Sequence, residues 1–231
     1  MQTVATASRA EQTRALSLST IAFTACFAVW TIFSIIGVAI KAELGLNDTQ
    51  FGLLVATPIL TGSITRLFLG VWTEKYGGRL ATWALTLADS YVMYLIAALG
   101  IGLAGGSFII GVAYVSRWYD AGHQGTALGI FGAGNVGAAV TKFVAPFVMV
   151  AYGWHGVAYV WAAGLAIIGV LFFLLAKDDP ELVERRKTGA KAPSLAQQFA
   201  PLKNLQVWRF SLYYFFVFGA FVALALWMPH Y

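Results

Sequence analysis

The chain has 231 residues, 59% hydrophobic and 11% charged, with a mean hydropathy of +0.74. Roughly a quarter of the residues of a water-soluble globule are charged, so this composition excludes one and points to a membrane protein. A single cysteine, Cys26, excludes an internal disulfide and a cysteine-built metal site, three scattered histidines argue against a zinc centre, and the net charge of +5 reads as a topology signal rather than a nucleic-acid one.

Crossing a hydrocarbon core of roughly 30 Å takes about 20 apolar residues as a helix, and open strands cannot satisfy their edges there. Residues 1–16 are polar and read as a cytoplasmic N-terminal segment. No small-residue cleavage site follows the first apolar stretch, so no removed signal peptide is expected. Candidate spans fall at 17–40, 50–73, 124–151, 155–176 and 207–229, with Pro58 and Pro146 inside two of them as tolerated kinks. The second span carries Arg66 in Leu60-Thr61-Gly62-Ser63-Ile64-Thr65-Arg66-Leu67, with no acid at 62, 63, 69 or 70. A charge at membrane depth costs on the order of 2.5–3.5 kcal/mol, so such a residue is a functional candidate. A guanidinium facing a cavity offers five donors in a planar fork and keeps its charge, which suits a planar oxyanion. The alternative is a structural arginine paired with carbonyls or another helix; the insertion cost favours the first reading.

At the end of this span, Gly70, Glu74, Lys75, Gly77, Gly78 and Arg79 form a tight charged turn in which glycines permit positive φ and Glu74 can pair with Lys75 or Arg79. Composition alone also allows a plain loop. Region 80–119 holds one charge up to Arg117, Asp89, and fits two tight helices with a turn near residues 100–106, or one helix behind a stub. The basic residues choose between them. Arg9 and Arg14, Lys75 and Arg79, Arg117, and the group from Lys177 to Arg209 face only Lys41 on the other side, so all four groups are expected in the cytoplasm. An even number of crossings must then separate 73–79 from 117–123, which gives two short ones, seven helices and a cytoplasmic N-terminus. Asp89 reads as a loop marker rather than a proton-coupling carboxylate.

The next span opens with Gly125, Gly129, Gly132, Gly134, Asn135 and Gly137. Small residues at helical spacing let two backbones approach closely, and a buried carboxamide among them offers polar groups to whatever enters a cavity. Lys142 further along is balanced between a function and a stem reaching for the interface. Residues 177–206, with Asp178, Asp179, Glu181, Glu184 and the basic group, read as a solvated, part-amphipathic linker. Residues 207–231 supply one more span. No nucleophile, base and oxyanion-stabilising constellation is found in the spans, so no enzyme is expected.

At these residues the chain resembles the major facilitator superfamily, whose loop between helices 2 and 3 carries Gly-x-x-x-Asp-x-x-Gly-Gly-Arg. Gly70, Gly77, Gly78 and Arg79 match, and Glu74 stands at the aspartate. The segment from Gly125 to Pro146 resembles the helix 5 signature of the nitrate/nitrite porter family, and Arg66 corresponds to that family's substrate-binding arginine. The resemblance implies an all-α membrane protein: an N-terminal bundle over 17–176, a linker over 177–206, and the first helix of a truncated C-terminal bundle at 207–231. It implies that Asn135, Gly132, Gly134 and Gly137 line the substrate path, that Phe108 adds an aromatic wall, and that Tyr214 and Phe218 face the anion, with Phe33 a further carried-over ring. Gly70, Glu74, Gly77, Gly78 and Arg79 would serve the conformational change. Expected partners are nitrate or nitrite, membrane lipid and a missing C-terminal half, with no cofactor, metal or nucleic acid, in the cell inner membrane. Two departures stand out: family members have twelve helices with a second binding arginine on helix 8, and the stretch after Arg79 is about a dozen residues shorter than usual. The expected function is alternating-access transport of nitrate or nitrite, incomplete in this chain. The alternatives are a porter for another small or organic anion, and a non-transporting remnant.

Overall fold

The computed structural model describes residues 8–76, 91–190 and 194–227, with side chains from 8–64, 101–190 and 194–226 except Leu103 and Leu195. All of the regular structure in these residues is helical. Helix α1 (Arg9–Trp30) opens on a capping box in which Glu11 N donates to Ser8 Oγ and Ser8 N donates to Glu11 Oε2. It breaks at Thr31 and continues as α2 (Phe33–Leu44). The break has a local cause: Thr31 Oγ1 donates to Phe27 O and Ala28 O, Ser34 Oγ donates to Thr31 O at 2.7 Å, and the backbone tightens to i→i+3 bonds. Gly45, in the left-handed region at φ 62°, ends α2.

Helix α3 (Asp48–Tyr76) follows, then α4 (Tyr91–Ser116), α5 (Gln124–Gly132), a 3₁₀ turn at Ala133–Val136, and α6 (Gly137–Leu175). Helix α6 is broken at Gly153, where φ 69° and ψ 178° fold the chain between two crossings. This break falls between the spans expected at 124–151 and 155–176. Helix α7 (Pro180–Thr188) starts on an Asp179 cap with Pro180 at its first position and stops at Gly189, φ 66°. After α8 (Leu195–Phe199) and a 3₁₀ turn at Ala200–Lys203, α9 (Leu205–Trp227) makes the last span.

One expectation is corrected. The turn expected near 100–106 is absent: residues 91–116 form a single unbroken helix, α4, whose 26 residues extend about 39 Å at 1.5 Å per residue, enough for one crossing, and the rest of the region up to it, residues 77–90, lies outside the described residues. Its glycines are notches rather than a turn. A Cβ on Gly102 would stand 2.8 Å from Pro58 O, one on Gly62 would stand 2.9 Å from Gly102 O, and one on Gly105 would stand 2.8 Å from Trp30 Nε1. In lipid, close backbone approach of this kind replaces the missing hydrophobic drive between helices.

Direction along the bundle follows from the contacts. Gln12 Nε2 donates to Trp118 O at 2.9 Å, while Trp30 Nε1, eighteen residues along α1, donates to Pro58 O at 3.2 Å beside Gly105, so α1 and α4 run antiparallel. Helix α3 starts beside Lys41, where Asp48 Oδ1 is 2.5 Å from Lys41 Nζ, and runs back toward the start of α1, parallel to α4. Helix α1 lies in the middle, against α4, α5 and α6. Thr141 Oγ1 donates to Ala28 O at 2.7 Å and accepts from Trp161 Nε1 at 2.9 Å, tying both arms of α6 to α1. The outward faces of α6 and α9 are apolar, Val150 being 89% and Phe215 68% exposed, which suits lipid and not water.

Three of the four basic groups collect at one end. Lys177 Nζ is 2.9 Å from Glu11 Oε1, Tyr114 OH donates to Lys177 O at 2.6 Å, and Arg117 pairs with Asp179 at 3.3 Å and Glu181 at 3.2 Å. Lys41, Glu43 and Trp154, whose Nε1 donates to Glu43 Oε2 at 2.6 Å, mark the other end.

Candidate functional site

Four elements bring their aromatic rings to one level of the bundle. Phe23 of α1 stacks on Phe131 of α5 with centroids 4.9 Å apart and touches Phe108 of α4 at 5.4 Å. Phe108 lies 5.9 Å from Phe131 and 6.4 Å, with a 16° interplanar angle, from Tyr214 of α9. Tyr214 stacks on Phe218 at 5.1 Å, and Phe221 closes the row against Phe27 at 6.2 Å. Most neighbouring rings of this row lie within about 30° of parallel, Phe23 and Phe108 being tilted at 48°, and they pack on one another as part of the apolar core.

Asn135 stands beside this row in the 3₁₀ turn between α5 and α6. Its Nδ2 donates to Gly132 O at 2.8 Å, while Oδ1 is buried and has no hydrogen-bond partner among the described residues. A buried acceptor left without a donor costs roughly 1–3 kcal/mol, so this carboxamide is a polar point held at an apolar site. The three glycines expected to line the path divide. Gly132 is half-buried and a Cβ there would meet nothing within 4 Å. Gly134 and Gly137 are covered by α1: a Cβ on Gly134 would stand 2.5 Å from Phe23 Cδ1, and one on Gly137 would collide with Thr24 O.

Phe108, Tyr214, Phe218, Asn135 and Gly132 therefore gather at one level. Arg66 belongs to the same level by register: Gly62 abuts Gly102 and the two helices run parallel, so Arg66, one turn further on α3, stands alongside Gly106, about half a turn before Phe108. Its side chain lies outside the description. Gly70 and Glu74 lie in the last two turns of α3, and Gly77, Gly78, Arg79 and Asp89 fall outside the described residues. Lys142 is half-buried beside Thr141, with no ion pair among the described residues.

Phe33 sits elsewhere. It is buried in a second core cluster with Ile36, Ile40, Leu54 and Trp161, and the helix 1 ring that meets Phe108 is Phe23. Phe23 and Phe131 are site neighbours that the sequence reading passed over. Phe23, Phe27 and Trp30 recur at helical spacing on one face of α1, a signal that could have found them.

Residues 18–231 match the family model described as Major Facilitator Superfamily. The chain is 40% identical over 247 aligned positions to a protein of Thermus thermophilus named probable nitrate/nitrite antiporter, covering 96% of this chain and 54% of that one. It is 31% identical to the nitrite extrusion protein of Bacillus subtilis, over 94% of this chain and 56% of that protein. It is 30% identical to a Staphylococcus epidermidis protein named probable nitrate transporter, over 94% and 57%. The chain thus spans about half the length of the curated relatives it matches. The first of these alignments is longer than the chain itself, so at least sixteen of its positions, 247 less 231, have no counterpart here.

Proposed function

Since the chain belongs to the major facilitator superfamily, we propose that it forms the N-terminal bundle of a carrier that moves nitrate or nitrite across the cell inner membrane by alternating access. The observation that carries the reading is the convergence of Phe108, Tyr214 and Phe218 with Asn135 and the open Gly132 at the level where Arg66 leaves α3. The names of the relatives support the substrate.

In this reading the ring faces define a slot for a flat trigonal ion and exclude water from it. The Arg66 guanidinium supplies the charge and a two-pronged hydrogen-bonding edge in the plane of the anion. A bound anion offsets a fixed positive charge that the empty site leaves unbalanced, which favours exchange of one anion for another. A second cationic side chain would come from a C-terminal half. Rocking of the halves would use the turn at Gly70, Glu74, Gly77, Gly78 and Arg79. The clustering of Arg117, Lys177 and the start of α1 at one end supports a cytoplasmic N-terminus.

Nitrate uptake into proteoliposomes tests this, with the chain alone and with a co-expressed C-terminal half, each as wild type and as Arg66→Lys. Flux or nitrate binding should fall at least about tenfold in Arg66→Lys, because an ammonium point charge cannot reproduce the planar fork. Uptake unchanged by the substitution would remove Arg66 from the site, and no flux with either pairing would favour a non-transporting remnant.

A further inference from the structure

Beyond Glu184 the chain has no acidic residue, while Arg185, Arg186, Lys187, Lys191, Lys203 and Arg209 are basic. Glu181 engages Arg185 and Asp178 engages Arg186, but Lys203 and Arg209 meet no acidic partner among the described residues. Between these two cations the chain turns into the membrane. Pro201 is the second residue of the 3₁₀ turn, Asn204 becomes extended at φ −89° and ψ 122°, and Asn204 Oδ1 accepts from Gln206 N at 2.9 Å to start α9.

Four large apolar side chains stand out from this bend at a spacing of three. Phe199, Leu202, Leu205 and Trp208 are 48%, 47%, 64% and 57% exposed. Trp208 Nε1 donates to Leu202 O at 2.7 Å, so the polar atom of the indole is satisfied internally and the rest of the ring is a bare apolar plate. Water gives no reason to present these groups together, and the fully apolar run of α9 begins at the next turn, so the patch stands at the depth where hydrocarbon starts.

We propose that residues 194–209 form an in-plane interfacial anchor, with Phe199, Leu202, Leu205 and Trp208 at the acyl boundary and Lys203 and Arg209 on anionic phospholipid headgroups. Exposed apolar groups flanked by unpaired cations, with no acid nearby, are complementary to an anionic leaflet on both counts. The linker is thus fastened to the bilayer where α9 enters, and is not a freely solvated tether.

The test uses the full chain with Cys26→Ser, reconstituted in vesicles of phosphatidylglycerol and phosphatidylcholine. A nitroxide on Leu202→Cys should collide with oxygen more readily than with a water-soluble nickel chelate. Preferential collision with nickel would show a solvated linker, and exclusion of both would show a protein cover; either result overturns the anchor. With spin-labelled lipids, the preference for phosphatidylglycerol should fall by about fivefold for each charge removed in Lys203→Gln and Arg209→Gln, as about 1 kcal/mol per cation implies. Lys41→Gln at the opposite end should leave it unchanged. A preference that survives the double substitution would overturn the headgroup assignment.

Discussion

Gly132 and Gly137 stand five residues apart and tolerate opposite changes. A methyl group on Gly137 meets the Thr24 carbonyl of α1, a backbone atom that cannot swing aside, so Gly137→Ala should destabilise the bundle by about 1–3 kcal/mol in thermal unfolding in detergent. The methyl of Gly132→Ala enters open space, and the substitution should leave the melting point within about 0.5 kcal/mol of wild type; if Gly132 lines the proposed anion slot, it should also weaken nitrate binding. Equal loss of binding with equal loss of stability in both variants would deny Gly132 its separate role. In the loop after α4, hydrogen bonds from the His123 ring and backbone hold the Asp120 carboxyl below its ordinary range. A depressed carboxyl contributes stability above the unfolded-state pKa near 3.8 and loses it as pH falls through the folded value. The melting difference between wild type and Asp120→Asn should therefore be level at neutral pH and shrink below about pH 4. Asn135 among glycines stands out in the sequence, whereas Asp120 and His123 do not, because a pairing across one turn leaves no pattern there. Phe33 was misplaced because a ring alone says nothing of which face of a helix it occupies; only the spacing of Phe23, Phe27 and Trp30 does.

Helices were legible where apolar length and a breaker agreed. Gly153 divides α6 in the gap between the two expected spans, and Asp179-Pro180 announces α7 by its cap. Helix α4 was misread because glycines mark turns in water, whereas between packed membrane helices the same residues mark places where backbones touch. The Thr31 break escaped notice since its cause is a pair of hydroxyls taking backbone carbonyls, with no proline or glycine to flag it. At the start of α7, Asp179 has two duties, as cap to Leu182 N at 2.8 Å and as counter-ion to Arg117, both side chains being at least nine-tenths buried. Asp179→Asn keeps a capping oxygen and loses the charge; Asp179→Ala loses both. Thermal unfolding should place Ala below Asn by about 1 kcal/mol and both below wild type. Equal melting of Ala and Asn would show that the cap contributes nothing.

At the scale of the whole molecule, parallel α3 and α4 put the loop after α4 and the turn before α3 on opposite sides of the membrane. In a Cys26→Ser background, a membrane-impermeant maleimide should label Gly122→Cys and Thr188→Cys from one face and Asn47→Cys from the other. Labelling of Gly122→Cys and Asn47→Cys from the same face would refute the parallel arrangement. Charge placement foretold this sidedness, but the register that puts Arg66 beside Gly106 depends on contacts no single sequence displays. The relay from the Trp161 indole through the Thr141 hydroxyl to the Ala28 carbonyl has a mechanical corollary. Both strokes of the folded rod formed by α6 are clamped to the central post, so these three crossings tilt as a single stiff plate. In the proposed rocking, the motion would then be absorbed where ring slides over ring at α9, which would make the aromatic row the bearing surface.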